Sequence, residues 1–309
     1  MAEKKPIDPA FSLGINTGFA VNRYSEPEEW TRIVGALGLK RVQLTADMLN
    51  PDLPGAVLRD QVARILRGCR RHGVAVTSTF TGGFTRVNHL AHPDKSVREH
   101  WIRWFKRFAD LTADLGAASM GSHFGIFTHK DNSDPKRRAA RRKQNIAGWH
   151  EIGAHARKRG LSFLSWEPMS IGREQGETIA AASRLNKDVN RGAPLPMKIC
   201  LDVDHGDVSS KNPADTDPYA WLSAFGGAIP QVHLKQTSSD KRGHWPFTAR
   251  YNAAGLIRPE RVLSALRSAG SKGAELLFEF SFREREPADS TVVKVLRQCV
   301  DYWRPVVPD

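Results

Sequence analysis

Cysteine is scarce in this chain. Cys69, Cys200 and Cys299 are the only three, odd in number, far apart and without C-x-x-C spacing. That excludes a disulfide framework and a thiolate zinc cluster, and suits reduced thiols in a cytosolic core. Long apolar runs are missing too, since nothing approaches the ~18 consecutive apolar residues of a membrane span. The opening Met1-Ala-Glu-Lys-Lys-Pro-Ile-Asp8 lacks the apolar stretch of a secretion signal, so a cytoplasmic location is expected. No internal repeat and no linker divides the 309 residues, and one domain over 1–309 is expected. Acidic residues are in deficit, 33 against 46 basic, for a formal charge of +13. Such a balance suggests an anionic partner. Lys136, Arg137, Arg138, Arg141, Arg142 and Lys143 fall in one stretch, however, and without them the excess is +7. On a helix they spread over more than one face, the pattern of a solvated surface; a phosphate-rich partner or a subunit contact is the alternative.

What the chain has instead is alternation. Eight short segments rich in apolar and β-branched residues lie at about 11–16, 41–46, 74–80, 117–122, 161–167, 198–203, 229–234 and 275–281. Continuous apolar runs of this length suit strands buried on both faces. Helical patterns separate them. The first opens with Ser25 and Glu28 as a capping box around Pro27, then carries Trp30, Ile33, Val34 and Leu37 at i, i+3, i+4, i+7. The next carries Leu58, Val62, Ile65, Leu66 and Cys69 and stops at Gly73. A longer one runs through Val97, Trp101, Trp104, Phe105, Phe108, Leu111 and Leu115 to Gly116. Others are expected from about Pro135 to Gly160 and at about 174–190, 216–225, 258–270 and 288–303. Strand then helix, eight times, predicts an α/β fold: a single closed (β/α)8 TIM barrel over about 11–303, with its active site at the C-terminal mouth of the strands. An excursion at about 238–255, containing Trp245-Pro246-Phe247, would lie over that mouth as a lid or wall.

Four of the strand segments end in metal-binding side chains. They are Ser162-Phe-Leu-Ser-Trp-Glu167, Lys198-Ile-Cys-Leu-Asp202, Ile229-Pro-Gln-Val-His233 and Glu275-Leu-Leu-Phe-Glu279. Taken singly, each residue reads more readily as a cap or a hydrogen-bonded core group. Jointly they do not, because three carboxylates buried together need something positive among them. A divalent ion such as Mn, Co or Mg meets that need and suits oxygen and imidazole donors. His205, three residues after Asp202, would reach the mouth and bind a substrate oxygen or support a ligand. Lys235 lies on the same face as His233, and His123 tops the fourth strand. Asn16, Thr77 and Thr79 are weaker candidates. Glu167 and Glu279 approach from different strands, which suits moving a proton from one face of an acidified carbon to the other. A single-base route from C1 to C2 would make an aldose–ketose isomerase from the same residues.

With these residues in view, the chain resembles the sugar epimerase/isomerase branch of the xylose-isomerase-like barrels along about residues 11–303. The ketose 3-epimerases of that branch hold a metal by Glu, Asp, His and Glu from strands five to eight, which match Glu167, Asp202, His233 and Glu279. The resemblance makes the two glutamates the acid–base pair and His205, in Asp202-x-x-His205, a substrate ligand. It also implies a homo-oligomer. One position departs: the arginine usual six residues after the metal histidine is Ser239 here. Lys241, Arg242 and Arg250 follow, and Arg173, Arg283 and Arg285 lie near other strand ends. This favours a phosphorylated short ketose over a free hexulose, with Arg173 and Arg242 as substrate-binding candidates. The rival classes are an endonuclease IV-type phosphodiesterase acting on DNA and a barrel that binds without catalysis. The first needs three zinc ions, but the third strand, Val74-Ala-Val-Thr-Ser-Thr-Phe80, has no histidine and no Asp-x-His follows the seventh. Nucleic acid is therefore disfavoured as a partner.

Overall fold

A computed structural model describes residues 11–239 and 243–308. Eight parallel strands close in sequence order: β1 (Phe11–Asn16), β2 (Arg41–Thr45), β3 (Ala75–Phe80), β4 (Ser119–His123), β5 (Phe163–Glu167), β6 (Met197–Asp202), β7 (Gln231–Leu234) and β8 (Ala274–Phe278). β8 returns to β1, with Gly14 opposite Leu277 and Ile15 opposite Phe278. The helices are α1 (Pro27–Ala36), α2 (Gly55–His72), α3 (Lys95–Asp114), α4 (His129–Ser133), α5 (Pro135–Lys158), α6 (Ile179–Asn190), α7 (Pro218–Phe225), α8 (Ala249–Ala254), α9 (Pro259–Ser268) and α10 (Val292–Trp303). The fold is the (β/α)8 barrel that the alternation predicts.

Local chemistry sets most boundaries. Gly73 ends α2 at φ 65, in the left-handed region that glycine enters without a Cβ clash. Asp134 caps α5 by accepting from the amides of Lys136 (2.8 Å) and Arg137 (3.1 Å). The capping box expected at α1 does not form. Its N-cap is Glu26, which makes no side-chain cap bond, and Pro27 occupies the first turn. The helix expected from about 174 begins at Ile179, because Thr178 is its cap and residues 168–178 form a loop on the mouth side. The basic stretch of α5 is only partly a solvated face. Arg137 (2.6 Å) and Arg141 (3.4 Å) converge on the fully buried Asp131 of α4.

Outside the strands lies an apolar shell that includes Trp30, Trp104, Trp149 and Trp303, all essentially inaccessible. Phe247, from the excursion after β7, is buried there against Phe278, Phe280 and Trp303. All three cysteines are buried, and burial pushes Cys69 and Cys200 up to about 11 and Cys299 to about 12. The barrel interior is more polar than the aliphatic layers common in this architecture. At its lower end Glu275 accepts from Arg41 (3.1 Å) and Thr77 (3.1 Å). Higher up, Phe80 meets the ring of His233 edge-on at 5.0 Å.

Gly121 makes room for that ring. A Cβ there would lie 2.3 Å from Phe80 and 2.4 Å from Ser165 Oγ. Gly121→Val is expected to lower unfolding stability by about 1–3 kcal/mol through overpacking. Chemical denaturation of the purified variant checks this; unchanged stability would mean that the interior is looser than the contacts imply.

Candidate metal centre and substrate mouth

The barrel delivers the four expected ligands to one place. Glu167 and Asp202 are the last residues of β5 and β6, His233 lies in β7, and Glu279 directly follows β8. One ligand atom from each lies within 4.8 Å of the other three. Among the described residues no second such group accompanies them. Glu167, Asp202 and His233 are buried, while the Glu279 side chain is about a quarter exposed, towards the mouth.

Hydrogen bonding fixes the direction of each ligand. Gln43 Oε1 accepts from Asn16 Nδ2 (2.8 Å) and from His233 Nε2 (2.8 Å). A carbonyl oxygen cannot donate, so His233 Nε2 carries a proton; Nδ1 donates to the Glu167 carboxylate, and a cation at that position would take the place of the Nδ1 proton. Nδ1 lies 2.8 Å from Glu167 Oε1 and 3.5 Å from Glu279 Oε2. Asp202 Oδ1 accepts the Asp204 amide at 2.7 Å. Its Oδ2 lies 2.6 Å from Lys235 Nζ but makes no well-directed hydrogen bond. Lys235 also reaches Glu279 Oε2 at 2.5 Å.

The charges support one another. Burial pulls the Lys235 ammonium down, but Asp202, Glu279 and Glu167 outweigh it and hold the lysine charged. Burial raises Asp202, but its neighbours His205 and Lys235 overcome that, keeping it well below the usual carboxylate range. Glu279 is also lowered: His233 and Lys235 offset its burial. Three carboxylates and an imidazole nitrogen, close-set and partly underbonded at Asp202 Oδ2, fit a hard or borderline divalent cation.

A cavity of about 380 Å³ opens above the cluster, lined by Asn16, His123, His205, Lys235, Glu167 and Glu279 among others. His205 donates through Nδ1 to Pro168 O (2.9 Å) and turns Nε2 to within 3.4 Å of Asp202 Oδ2. His123 Nε2 lies 3.1 Å from Val87 O, and its ring packs 4.2 Å from that of His89. Other expectations fall elsewhere. Arg173 donates to Phe127 O (3.4 Å) and does not line the cavity. Arg242 lies outside the described residues. Thr79 bonds Thr112 (2.6 Å) on the helical side, and Thr77 belongs to the lower end. Sequence reasoning missed Gln43, and also Arg86, which lines the mouth and pairs with the buried Glu174 at 2.8 Å.

A family model described as "Xylose isomerase-like TIM barrel" matches residues 31–299. The chain belongs to the xylose isomerase-like TIM barrel family. Within that family it is 44% identical, over 96% of both chains, to the D-erythrulose 1-phosphate 3-epimerase of Brucella abortus (strain 2308). The crystal structure of a xylose isomerase-type protein from Rhodospirillum rubrum ATCC 11170 superposes with a TM-score of 0.84 at 26% identity, covering 95% of this chain and 98% of that one. D-psicose 3-epimerase of Clostridium cellulolyticum H10 shares the fold at a TM-score of 0.71 and 15% identity, covering 96% and 99%. This xylose isomerase-like barrel is an isomerase-class enzyme of the sugar epimerase/isomerase kind. No helix among its described residues is long and apolar enough to cross a membrane.

Two predictions follow from the supports of the site. Gln43→Leu removes the acceptor that fixes His233, and metal affinity should fall about 10–100-fold, measured by titration of metal-free protein; unchanged affinity would separate Gln43 from the ligand set. The second concerns acid. Burial lowers His123 to about 4 and takes His89 well below its ordinary value. The folded state thus favours the neutral rings, so their contribution is complete above the unfolded value of about 6.5 and is lost as pH falls towards 4. For His123 the loss is about 3 kcal/mol. Denaturant unfolding between pH 7 and 4 should show a stability slope that His123→Gln reduces; an equal slope in both proteins would contradict the assignment.

Proposed function

We propose that this enzyme inverts C3 of a short ketose phosphate, interconverting L-erythrulose 1-phosphate and D-erythrulose 1-phosphate. The observation that supports the reading is that Glu167, at the end of the fifth strand, and Glu279, directly after the eighth, both belong to the four-residue cluster and both line the small cavity above it. The relation to the Brucella abortus enzyme supports the same substrate class. Glu167, Asp202, His233 and Glu279 would hold a divalent ion, with Mn, Co or Mg as candidates, which would supply Lewis-acid polarisation of the ketone beside C3. Glu167 and Glu279 perform the proton transfers: one carboxylate takes the C3 proton, and the other carboxyl returns one to the opposite face. Lys235, fixed between Asp202 and Glu279, places a permanent positive charge beside the oxygens that become negative. His205 offers Nε2 to a substrate hydroxyl, and the neutral His123 contributes to the cavity wall. Arg86 at the mouth is a cation available to the phosphate, and Lys241, Arg242 and Arg250 follow β7 in the sequence as further candidates. A cytoplasmic homo-oligomer belongs to the same proposal.

The two forms of erythrulose 1-phosphate are mirror images, because C3 is the only stereocentre. An achiral solvent gives them equal free energy, so a C3 epimerase must carry either one to a 1:1 mixture. The test is proton NMR in D₂O with Mg-loaded enzyme, together with a chiral assay. Deuterium entering C3 while the mixture approaches 1:1 is expected; no exchange at C3, together with formation of an aldose from a ketose whose C1 hydroxyl is free, would make the enzyme an aldose–ketose isomerase instead. Glu279→Gln should cut turnover about 10²–10⁴-fold in metal-replete protein while leaving it folded. Normal turnover in that variant would sink the two-carboxylate mechanism.

A further inference from the structure

A second charged cavity lies outside the substrate cavity, between the N-terminal turns of α5 and α6. It encloses about 300 Å³ and shares no lining residue with the substrate cavity. Ala139 on α5 and Ala181 on α6 leave its walls open, and the side chains around them are charged. Arg138 and Arg142, one turn apart on α5, and Arg184 on α6 line it, against a single lining carboxylate, Glu177. Glu177 Oε1 lies 3.7 Å from Arg138 Nη2, which also donates to Gly172 O at 3.2 Å. Arg142 and Arg184 form no ion pair with any described residue. Three guanidinium groups therefore face a single carboxylate within the groove lining.

The crowding is only partly relieved within the protein. Arg142 is lowered by its burial and by Arg138 and Arg184, with Glu177 and Asp188 offsetting in part. The buried Nε groups of Arg138 and Arg142 have no hydrogen-bond partner. Buried guanidinium donors without an acceptor are costly, and a multivalent oxyanion satisfies several at once. One further atom narrows the chemistry. Glu177 Oε2 is buried and also lacks a partner; a carboxylate oxygen accepts, so an anion that carries a hydroxyl as well as negative oxygens matches the groove better than one without. We propose that this groove is a second anion site, built for a hydroxyl-bearing phosphate: inorganic hydrogenphosphate or a sugar phosphate whose hydroxyl meets Glu177.

The groove adjoins the loops that leave the metal cluster. Glu177 ends the run of loop that starts after Glu167, and its carbonyl accepts the Asp207 amide (2.9 Å) from the loop after β6. Occupation would therefore order the segments behind Glu167 and Asp202.

The test is hydrogen exchange of the metal-loaded enzyme, read by mass spectrometry, with millimolar phosphate, sulfate or chloride at pH 7.5 and constant ionic strength. Phosphate should slow exchange in peptides covering 135–143 and 177–184. Sulfate, which has no hydroxyl, should protect less, and chloride not at all. Arg184→Gln, an exposed position that folding tolerates, and Arg142→Gln should each weaken phosphate protection roughly tenfold. A sugar phosphate that protects these peptides more strongly than inorganic phosphate would identify the ester as the ligand. No protection, equal protection by all three anions, or unchanged affinity in both variants would overturn the proposal. So would dissociation of an oligomer by Arg184→Gln, which would show that a second copy covers the groove.

Discussion

The mouth of this barrel is organised around mutual repulsion between three carboxylates. Glu167, Asp202 and Glu279 come from strands five, six and eight, and parallel closure brings them within a few ångströms of one another. Nothing in an apolar core could tolerate that arrangement. Lys235 is therefore buried almost completely, an unusual position for a lysine, and bonds two of the three. His233 and His205 add polarisable nitrogen on the remaining sides. The same surplus of negative oxygen that demands these partners is what gives a cation its binding energy.

The polar interior below the mouth follows from this. A ligand that must point in one direction needs a partner that is itself fixed, and the chain of bonds from His233 to Gln43 to Asn16 crosses the barrel to supply it. Aliphatic layers would fill the same volume but could not set the tautomer of His233. Glu275 closes the lower end with Arg41 and Thr77, so the barrel carries charge at both ends and a phenyl ring, Phe80, between them. Gly121 is the vacancy that lets this ring stand where it does.

Much of this was legible in the sequence. The eight-fold alternation survives because strands buried on both faces and helices buried on one leave different periods. The four ligands were legible because parallel strands in a barrel end at the same mouth, so a repeated place in the sequence becomes a shared place in space. Gln43 was not, because an amide in the second strand acquires meaning only from the seventh strand opposite. Arg173 sits in a mouth-side loop as expected, but loop backbone turns its guanidinium to Phe127 O. The basic run of α5 looked like one solvated surface; the helix divides it, giving Arg137 and Arg141 to a buried aspartate and Arg138 and Arg142 to a groove. The Ser25–Glu28 pattern was locally correct for a cap, yet Glu26 and Pro27 start the helix instead.

The bond between Gln43 and His233 joins residues 190 positions apart. The strand carrying Glu279 closes the sheet by pairing with the first strand of all. No fragment of the chain can assemble these groups, and a chain still lacking its last strand holds neither the fourth ligand nor the seam that keeps the others in place. Any ion held by this cluster would therefore depend on the completed fold, with the two ends of the sheet joined.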